Sequence, residues 1–300
     1  MKIGKCLAGL LLGVMPCIAA AALNVLACEP EWASLVKELG GEQVQVVSAT
    51  TAKQDPHQIE ARPSLLARAR NADLLVCTGA ELEAGWLPVL QQQSGNGRIQ
   101  TGRPGYFEAA HYVTMLEIPE KGDRSPGHVH ASGNPHIHLD PRNIAKIAEP
   151  LSQRLQQLDE GNAEYYRNRH ADFQARWQQA MVKWIKQAEK LQGQPVAVQH
   201  RDLSYFHAWS GLKEVIVLEP RPGVDPSIAH LSKIVAQLRQ QPVKAVLHST
   251  YQSPRASLWF SQQAKVPAVE MPFTVGGAPG TDDLFGLFEV SLGRLNDAIR

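Results

Sequence analysis

The sequence predicts an α/β protein of two lobes, each with a parallel sheet flanked by helices, joined by one long spine helix. Short apolar runs alternate with amphipathic segments in both halves of the chain, which is typical of parallel β-α-β units. Between the halves, residues 142–192 carry no strand pattern. The 300 residues are enough for two cores of ordinary size.

The first half contains three alternating strand and helix patterns. The predicted strands are LNVLAC, QVQVVSA and DLLVCTG, and the predicted helices are EWASLVKELGG, RPSLLARARNA and LEAGWLPVLQQQ. YVTMLEI, at 112–118, predicts a further strand. The stretch 119–141 is rich in proline, glycine, serine and histidine, which predicts a loop.

A single apolar stripe marks the spine helix. Its residues follow one another at steps of three or four: Tyr166, His170, Phe173, Trp177, Met181, Trp184, Ala188 and Leu191. The spacing predicts one helix of about 30 residues, roughly 45 Å long at 1.5 Å per residue, which ends before Gly193 and Pro195. We expect its aromatic residues to pack rather than to bind a ligand. The predicted boundaries are 23–155 for the N-terminal lobe, 156–192 for the spine and 193–300 for the C-terminal lobe.

The second half repeats the strand and helix alternation. The predicted strands are PVAVQH, EVIVLEP, KAVLHST and PAVEMP, and the predicted helices are SYFHAWSGL, PSIAHLSKIVAQLRQQ, PRASLWFSQQAK and a last helix from about Asp282. This pattern predicts a second parallel sheet.

The first 22 residues are typical of a secretory signal peptide. Lys2 and Lys5 precede an apolar run that ends in small residues, which predicts cleavage near Ala22 and a periplasmic protein. A lipid anchor at Cys17 is the alternative, and Pro16 directly before it argues against that. The formal charge of +1 gives no basic face for a nucleic acid.

Two cysteines remain after the signal peptide. Cys28 and Cys77 each end an apolar strand pattern, and neighbouring strands of one sheet would bring them together. In an exported protein this predicts a disulfide. Two buried thiols are the alternative.

Histidines concentrate where ligands bind in such folds. His128, His130, His136 and His138 lie within eleven residues of a chain that has 11 histidines. Ligands of open parallel sheets bind beyond the carboxyl ends of the strands. The predicted strands of the second lobe end at His200, Glu219, His248 and Glu270, and His57 follows a strand of the first lobe. Because neutral imidazole is the commonest zinc ligand, these positions predict a metal site in the interlobe cleft.

Three of the histidine segments carry a family resemblance. QDPHQIEARPS, GNPHIHLDPRN and VQHRDLSYF resemble those of the periplasmic zinc- and manganese-binding proteins of ABC importers, the cluster A-I solute-binding family. The resemblance covers essentially the whole mature chain. It implies two α/β lobes joined by one long helix, and metal ligands at His57, His136 and His200. Members with histidine at the third position resemble zinc proteins, and those with a carboxylate resemble manganese proteins.

The sequence departs from the family pattern at two positions. His138 stands where the family often has tryptophan, which leaves it as a spare ligand or a loop side chain. Val275 stands where the family usually has the aspartate that is the fourth ligand. We expect water in its place first and Glu270 second. The remaining candidates are His248, Glu219 and the Asp282–Asp283 pair.

The histidine-rich loop has two interpretations that the sequence leaves open. His128 and His130 either collect metal ions near the cleft or belong to a solvated loop with no role. Glu60, three residues after His57, is expected to be a surface group or to support a ligand rather than to bind metal.

The expected function is capture of Zn²⁺, with Mn²⁺ as the less favoured ion, by a monomer that delivers it to an ABC permease in the inner membrane. No catalysis is expected, and no motif supplies a general base. The alternatives are a zinc-dependent hydrolase or hydratase that uses three histidines and water, a metal chaperone, and a manganese-binding protein.

Overall fold

The computed structural model describes residues 22–119, 130–221, 223–238 and 240–299. Residues 1–21 of the predicted signal peptide and His128 lie outside these ranges. Within them, no helix combines the length and the apolar character that a membrane crossing requires.

The first lobe contains a four-stranded parallel sheet with the strand order β2-β1-β3-β4. Prolines stand at the start of each helix of this lobe, where a missing backbone N–H has no cost. In chain order the elements are β1 (Leu23–Ala27), α1 (Pro30–Gly40), β2 (Val44–Ser48), α2 (Pro63–Asn71), β3 (Leu74–Cys77), α3 (Leu87–Ser94) and β4 (Tyr106–Glu108).

Two helices connect the lobes. Helix α4 (Pro141–Leu158) begins at the Asp140 cap, whose side chain accepts a hydrogen bond from the backbone N–H of Arg142. Helix α5 (Ala163–Ala188) is the spine, and its 26 residues span about 39 Å. The predicted stripe is buried at Tyr166, Phe173, Trp177, Trp184, Ala188 and Leu191.

The second lobe repeats the first, with the parallel strand order β6-β5-β7-β8. Its elements are β5 (Pro195–Val198), α6 (Ser204–Ser210), β6 (Lys213–Val217), α7 (Ile228–Gln237), β7 (Ala245–Ser249), α8 (Arg255–Ala264), β8 (Ala268–Met271) and α9 (Leu284–Ala298). The predicted two-lobe α/β class with a long connecting helix is therefore confirmed.

Two local predictions in the first half were wrong. Residues 112–118 form no strand; they run toward the second lobe, where the backbone N–H of Leu116 donates to the Tyr205 hydroxyl at 2.9 Å. The fourth strand is instead the short β4. The helix predicted from Leu82 begins only at Leu87, because residues 82–86 form successive turns and the Trp86 backbone, with φ −141°, lies outside the helical region.

One continuous core joins the lobes. Apolar residues on the inner faces of both sheets pack with those of α1, α4, α5 and α9 in a single cluster. On the spine, the Trp177 ring lies 4.9 Å from that of Trp184 and 4.8 Å from that of Phe285, which directly follows the start of α9. The two lobes are therefore packed together along the spine and do not form separate domains with a flexible linker.

Equivalent positions can be matched between the two sheets by backbone hydrogen bonds. After β1, the N–H of Cys28 donates to the Val76 carbonyl at 2.7 Å; after β5, the N–H of Gln199 donates to the Leu247 carbonyl at 2.8 Å. The residue that follows each of these two is Glu29 in the first lobe and His200 in the second. The first of these strand ends also carries the Cys28–Cys77 disulfide, which confirms the predicted pairing.

Candidate metal centre

Two three-residue turns orient histidines of the first lobe. In the Asp55–His57 turn, Asp55 Oδ1 accepts hydrogen bonds from the His57 backbone N–H at 3.0 Å and from its Nδ1 at 2.7 Å. In the Asn134–His136 turn, Asn134 Oδ1 accepts the same two bonds from His136 at 3.0 and 2.8 Å. Proline occupies the middle position of both turns. Each Asx–Pro–His turn therefore fixes the ring of its own histidine and leaves Nε2 pointing away from the turn.

The amide of Asn134 is oriented by its other contacts. Its Nδ2 donates to Glu117 Oε2 at 3.0 Å and to the Arg201 carbonyl at 2.9 Å. Because both partners are acceptors, the opposite atom of the amide is the oxygen, and it can only accept from His136. The protonated nitrogen of His136 is consequently Nδ1, and Nε2 keeps its lone pair.

His200 of the second lobe is oriented by a different strand. It follows β5, and its Nδ1 lies 2.8 Å from Oε2 of Glu219, which follows the neighbouring strand β6. The same oxygen accepts a hydrogen bond from the backbone N–H of Gly223 at 2.9 Å. Glu219 thus ties the ring to the loop after β6 and leaves Nε2 of His200 for a ligand.

The structure brings the three predicted histidines together. The ring centroid of His136 lies 5.7 Å from that of His57 and 6.2 Å from that of His200. Imidazoles bound to one zinc ion at about 2.0–2.1 Å have centroids about 5–6 Å apart. His136 is only 2% exposed, and its Nε2 is buried without a hydrogen-bond partner. A buried acceptor of this kind is costly unless something binds it.

A fourth histidine joins the group. His130 stacks on His57 with ring centroids 5.2 Å apart, and the two Nε2 atoms lie 3.2 Å from each other. Two ligands of a tetrahedral zinc ion lie about 3.3 Å apart, as follows from the bond length. The site therefore combines four imidazoles, three from the first lobe and one from the second.

The environment sets opposite protonation tendencies for two of these rings. Burial lowers the pKa of His136 well below its ordinary value, and the neighbouring imidazoles of His57 and His200 lower it further. For His200, burial also lowers the pKa, but the hydrogen bond to Glu219 and the charge of Asp202 outweigh it and raise the pKa. The environment thus favours the neutral form of His136, which keeps its Nε2 lone pair, and the protonated form of His200.

Aromatic and acidic groups enclose the site. The Phe273 ring lies edge-on to His136 with centroids 5.5 Å apart, and Tyr251 packs against the same ring at 4.9 Å. The Tyr251 hydroxyl donates to Asp202 Oδ2 at 3.0 Å. Asp202 is buried and lies close enough to His200 for its negative charge to act on that ring.

The other predicted ligand candidates lie elsewhere. The side chain of Glu270 is 53% exposed, and its Oε2 lies 3.6 Å from Arg294. His248 alternates with Leu247 along β7 and therefore faces the opposite side of the sheet from the interlobe core. Asp283 caps α9 by accepting from the Gly286 N–H, Asp282 lines a groove with it, and Val275 packs against the core. Glu60 is exposed.

His138 is neither a spare ligand nor a solvated loop side chain. It is fully buried, its Nε2 lies 2.8 Å from the carbonyl oxygen of Phe273, and its Nδ1 lies 3.2 Å from Oε1 of Glu31. The ring therefore connects the loop before α4 with the loop after β8. His138 therefore supports the backbone of Phe273, whose ring packs on His136, and is not one of the four clustered imidazoles.

Sequence reasoning left two supporting features unidentified. The aspartate or asparagine two residues before a histidine was visible in both DPH and NPH, and its ability to accept two bonds from that histidine could have been inferred. The approach of His130 to His57 had no such local signal, because these two residues are 73 positions apart.

Comparisons with known proteins identify the family and support the fold. Residues 25–298 match the model of the family described as zinc-uptake complex component A, periplasmic. The high-affinity zinc uptake system protein ZnuA of Bacillus subtilis (strain 168) is 24% identical over 217 residues, which are 71% of this chain and 65% of that protein. The chain thus spans slightly less than two thirds of the length of that relative.

A second relative is named for a different metal. The manganese ABC transporter substrate-binding lipoprotein PsaA of Streptococcus anginosus is 23% identical over 261 residues, which are 84% of this chain and 80% of that protein. Among solved structures, a crystal structure of ZnuA superimposes with a TM-score of 0.78 at 22% identity and covers 93% of this chain and 100% of that one. This likeness supports the fold.

The family match extends over nearly the whole of the part that the structure describes, and the two relatives belong to metal uptake systems. Its members are binding proteins and not enzymes, so the hydrolase alternative is set aside. The chain belongs to the zinc-uptake complex component A family, the metal-binding solute-binding proteins of ABC importers.

Proposed function

We propose that this protein captures Zn²⁺ between its lobes and delivers it to the permease of an ABC importer. His57, His136 and His200 bind the ion through Nε2, and His130 supplies the fourth ligand. One observation carries the proposal: Nδ1 of each of the first three rings is held by an oxygen acceptor, while the rings meet around the buried, unpartnered Nε2 of His136.

The supporting oxygens perform two tasks for a bound cation. Asp55 and Glu219 fix the tautomer and direction of the rings that they hold, as carboxylates do in carboxylate–histidine–zinc arrangements. Their negative charges also offset part of the charge that the ion brings into the cleft. Asn134 performs only the first task, because its amide is neutral.

Zinc is favoured over manganese by the ligand atoms. Imidazole nitrogen suits zinc, whereas manganese prefers sites rich in carboxylate and other oxygen ligands. The carboxylates of Asp55 and Glu219 are turned to the Nδ1 side of their histidines, so the group of Nε2 atoms offers nitrogen alone. This argument favours zinc even though one relative is named for manganese.

Transport is favoured over storage by the family description and by the relatives' names, which refer to uptake and to ABC transporters. The family description also supports a periplasmic location and agrees with the signal peptide predicted at 1–22. A fourth imidazole would fill the position that a hydrolytic zinc enzyme keeps open for water, which further favours capture over catalysis.

The proposal is tested by zinc content and affinity of the untagged protein. We expect one tightly bound zinc per chain, with His57→Ala, His136→Ala and His200→Ala each weakening affinity by more than about 100-fold in competition with a chelator. That exceeds the effect of losing an outer contact of a ligand. His130→Ala should weaken it about 10–100-fold, because water can take its place.

His248→Ala is the matched control, since this histidine is buried in the same lobe as His200 but on the other side of the sheet. Its zinc affinity should equal that of the unchanged protein. Tight zinc that survives all four ligand substitutions would refute the site, and stronger binding of Mn²⁺ than of Zn²⁺ would refute the choice of metal.

A further inference from the structure

A backbone turn of the first lobe departs from ordinary geometry just outside the imidazole group. Gly79, Ala80 and Glu81 have φ angles of +79°, +49° and +69°. Only glycine adopts this region readily, so two of the three residues are strained. Strain of this kind persists only where surrounding contacts hold it, and it concentrates at functional positions.

Buried contacts impose the turn. Glu83, which is 2% exposed, accepts hydrogen bonds from the backbone N–H groups of Thr78 at 2.7 Å and of Gly79 at 3.1 Å. A side chain at Gly79 would collide with that of Glu108, because an added Cβ would lie 2.2 Å from its Cγ. The contacts of Glu83 and Glu108 with this backbone therefore fix the path of the chain into Ala80 and Glu81.

The strained turn directs Glu81 toward the loop that carries His130. Glu81 Oε2 accepts a hydrogen bond from the backbone N–H of Ala131 at 2.7 Å, and its Oε1 lies 3.4 Å from the Ser132 hydroxyl. Ala131 directly follows His130. A charged acceptor makes a stronger bond to a backbone N–H than a neutral one does.

Other contacts make the His130 turn a compact unit. The Gly133 N–H donates to the His130 carbonyl at 3.0 Å, which closes a four-residue turn. The next residue, Asn134, donates its N–H to the Leu116 carbonyl at 2.8 Å. Leu116 thus holds the residue that follows the turn, Asn134, and Glu81 holds the residue that follows His130, Ala131.

The same segment also supports the opposite ring. The indole N–H of Trp86 donates to the Pro56 carbonyl at 2.9 Å, and Pro56 is the middle residue of the Asp55–His57 turn. Residues 78–86 thereby contact the backbone beside both His57 and His130. These are the two rings whose Nε2 atoms lie 3.2 Å apart.

We propose that Glu81 is a positioning residue that holds His130 at the distance from His57 that one zinc ion requires. The inference rests on the proposed function, since it takes His130 to be a ligand. Strain at Glu81 is retained because the left-handed backbone directs its carboxylate to Ala131. Glu81 acts through the loop backbone and does not itself bind the metal.

Glu81→Gly gives a test in which affinity and stability move in opposite directions. Glycine relieves the left-handed strain, so the metal-free protein should resist thermal unfolding as well as or better than the unchanged protein. Zinc affinity should nevertheless fall about tenfold, the lower end for loss of an outer contact, because the bond is exposed to solvent. Glu81→Gln, which keeps an oxygen acceptor, should recover most of that loss.

Lys265→Gly is the matched control. Lys265 is also exposed and left-handed, with φ +56°, but it ends α8 in the other lobe. It should show the gain in stability and no change in zinc affinity. The double variant Glu81→Gly/His130→Ala completes the cycle: it should bind zinc no more weakly than His130→Ala alone, since the two residues act as one unit.

The outcomes separate this inference from the proposed function. If His130→Ala weakens zinc binding and Glu81→Gly does not, or if the two losses add, the positioning role is refuted while the four-histidine site stands. If His130→Ala has no effect and His57→Ala does, His130 is not a ligand and the inference fails, while capture stands. If no histidine substitution weakens binding, the proposed function itself fails.

Discussion

The two lobes have sheets of the same topology but carry different residues at the end of the first strand of each sheet. In the second lobe the second residue after the first strand is His200, which is one of the four clustered imidazoles. In the first lobe the equivalent residue is Glu29, a carboxyl group that is buried beside a disulfide and takes no part in the site. The three histidines of the first lobe come instead from loops beyond the strand ends.

Orientation of the ligands follows the same division. His57 and His136 are held by residues two positions earlier in the chain, so a short sequence encodes both the histidine and its orientation. His200 is held by Glu219, 19 residues away and just after the neighbouring strand β6, so only the folded sheet orients it. The comparison teaches that one half of the candidate site is encoded locally and the other by the fold.

The largest expected effect concerns the disulfide, which the strand end of the first lobe carries and that of the second lobe lacks. Cys28 and Cys77 close a segment of 49 residues, and the second lobe has Gln199 and His248 at the equivalent positions. Loop-closure entropy predicts that Cys28→Ala/Cys77→Ala lowers the free energy of unfolding by about 4 kcal/mol at 25 °C. Guanidinium unfolding of the oxidised protein and the double variant measures this loss.

A matched change in the second lobe serves as the control for that experiment. His248→Ala removes a buried side chain at an equivalent position without opening a covalent bond, and it should cost less than the double cysteine variant. A loss below about 1 kcal/mol for the cysteine variant would mean that the strand end is held by packing and hydrogen bonds alone.

Removing Glu219, which holds His200 from a neighbouring strand, should lower zinc affinity more than replacing Asp55, which holds His57 from two residues away. Glu219→Ala frees the His200 ring and the loop at Gly223, so we expect a loss of zinc affinity of about 10–100-fold. Asp55→Asn should cost less than about threefold, because Asn134 already shows that an amide oxygen can accept both bonds from a histidine. Chelator competition measures both variants.

Asp55→Ala distinguishes the lost hydrogen bonds from the lost charge, and we expect it to fall between the other two variants. Equal losses for Asp55→Asn and Asp55→Ala would show that charge, and not orientation, is the contribution of Asp55. In that case the local turn would not be the reason that His57 is ready to bind.

The smallest expected effect is on the pH dependence of the free energy of unfolding, and it concerns two buried glutamates of the first lobe, Glu29 and Glu83. Burial raises the pKa of Glu83 to about 7, and burial together with the charge of Glu83 raises that of Glu29 well above its ordinary value. Between pH 4.5 and 7 the folded protein therefore binds more protons than the unfolded chain, so the free energy of unfolding falls as the pH rises through this window.

Glu29→Gln should flatten that dependence. A neutral amide at position 29 can donate to Glu83 and still accept from Thr78, so the variant should be about 1 kcal/mol more stable than the unchanged protein at pH 8. The difference should vanish near pH 5. Urea unfolding from pH 5 to 8 checks this, and parallel curves for the two proteins would show that Glu29 does not contribute to the pH dependence.

Much of the fold could be predicted because apolar periodicity is local. The strands and most helices follow from runs such as LNVLAC and PVAVQH. The errors arose where tertiary contacts override local pattern. Residues 112–118 contact the other lobe, where the Leu116 backbone N–H donates to Tyr205, and the helix pattern from Leu82 is replaced by turns up to Trp86.

The candidate site was predictable only in part, for the same reason. His57, His136 and His200 could be selected by motif and strand position. The exposed side of β8 could have been inferred from the apolar residues that flank Glu270, which would have removed that candidate. The contact of His130 with His57 could not be predicted, because it depends on the strained turn at Glu81 and on the closure of the loop that follows His130.

The shared core along α5 limits how the proposed site could release a bound ion. Opening the cleft by rotating the lobes apart would expose apolar surface to water at about 25 cal/mol per Å², so uncovering only 400 Å² would cost about 10 kcal/mol. That is comparable to the stability of an entire domain. If the protein captures Zn²⁺ as proposed, this cost disfavours release by wide hinge motion and favours release through the loops that carry His57 and His130. A permease that receives the ion, as in the proposed function, would then promote release by displacing those loops while the two sheets stay in place.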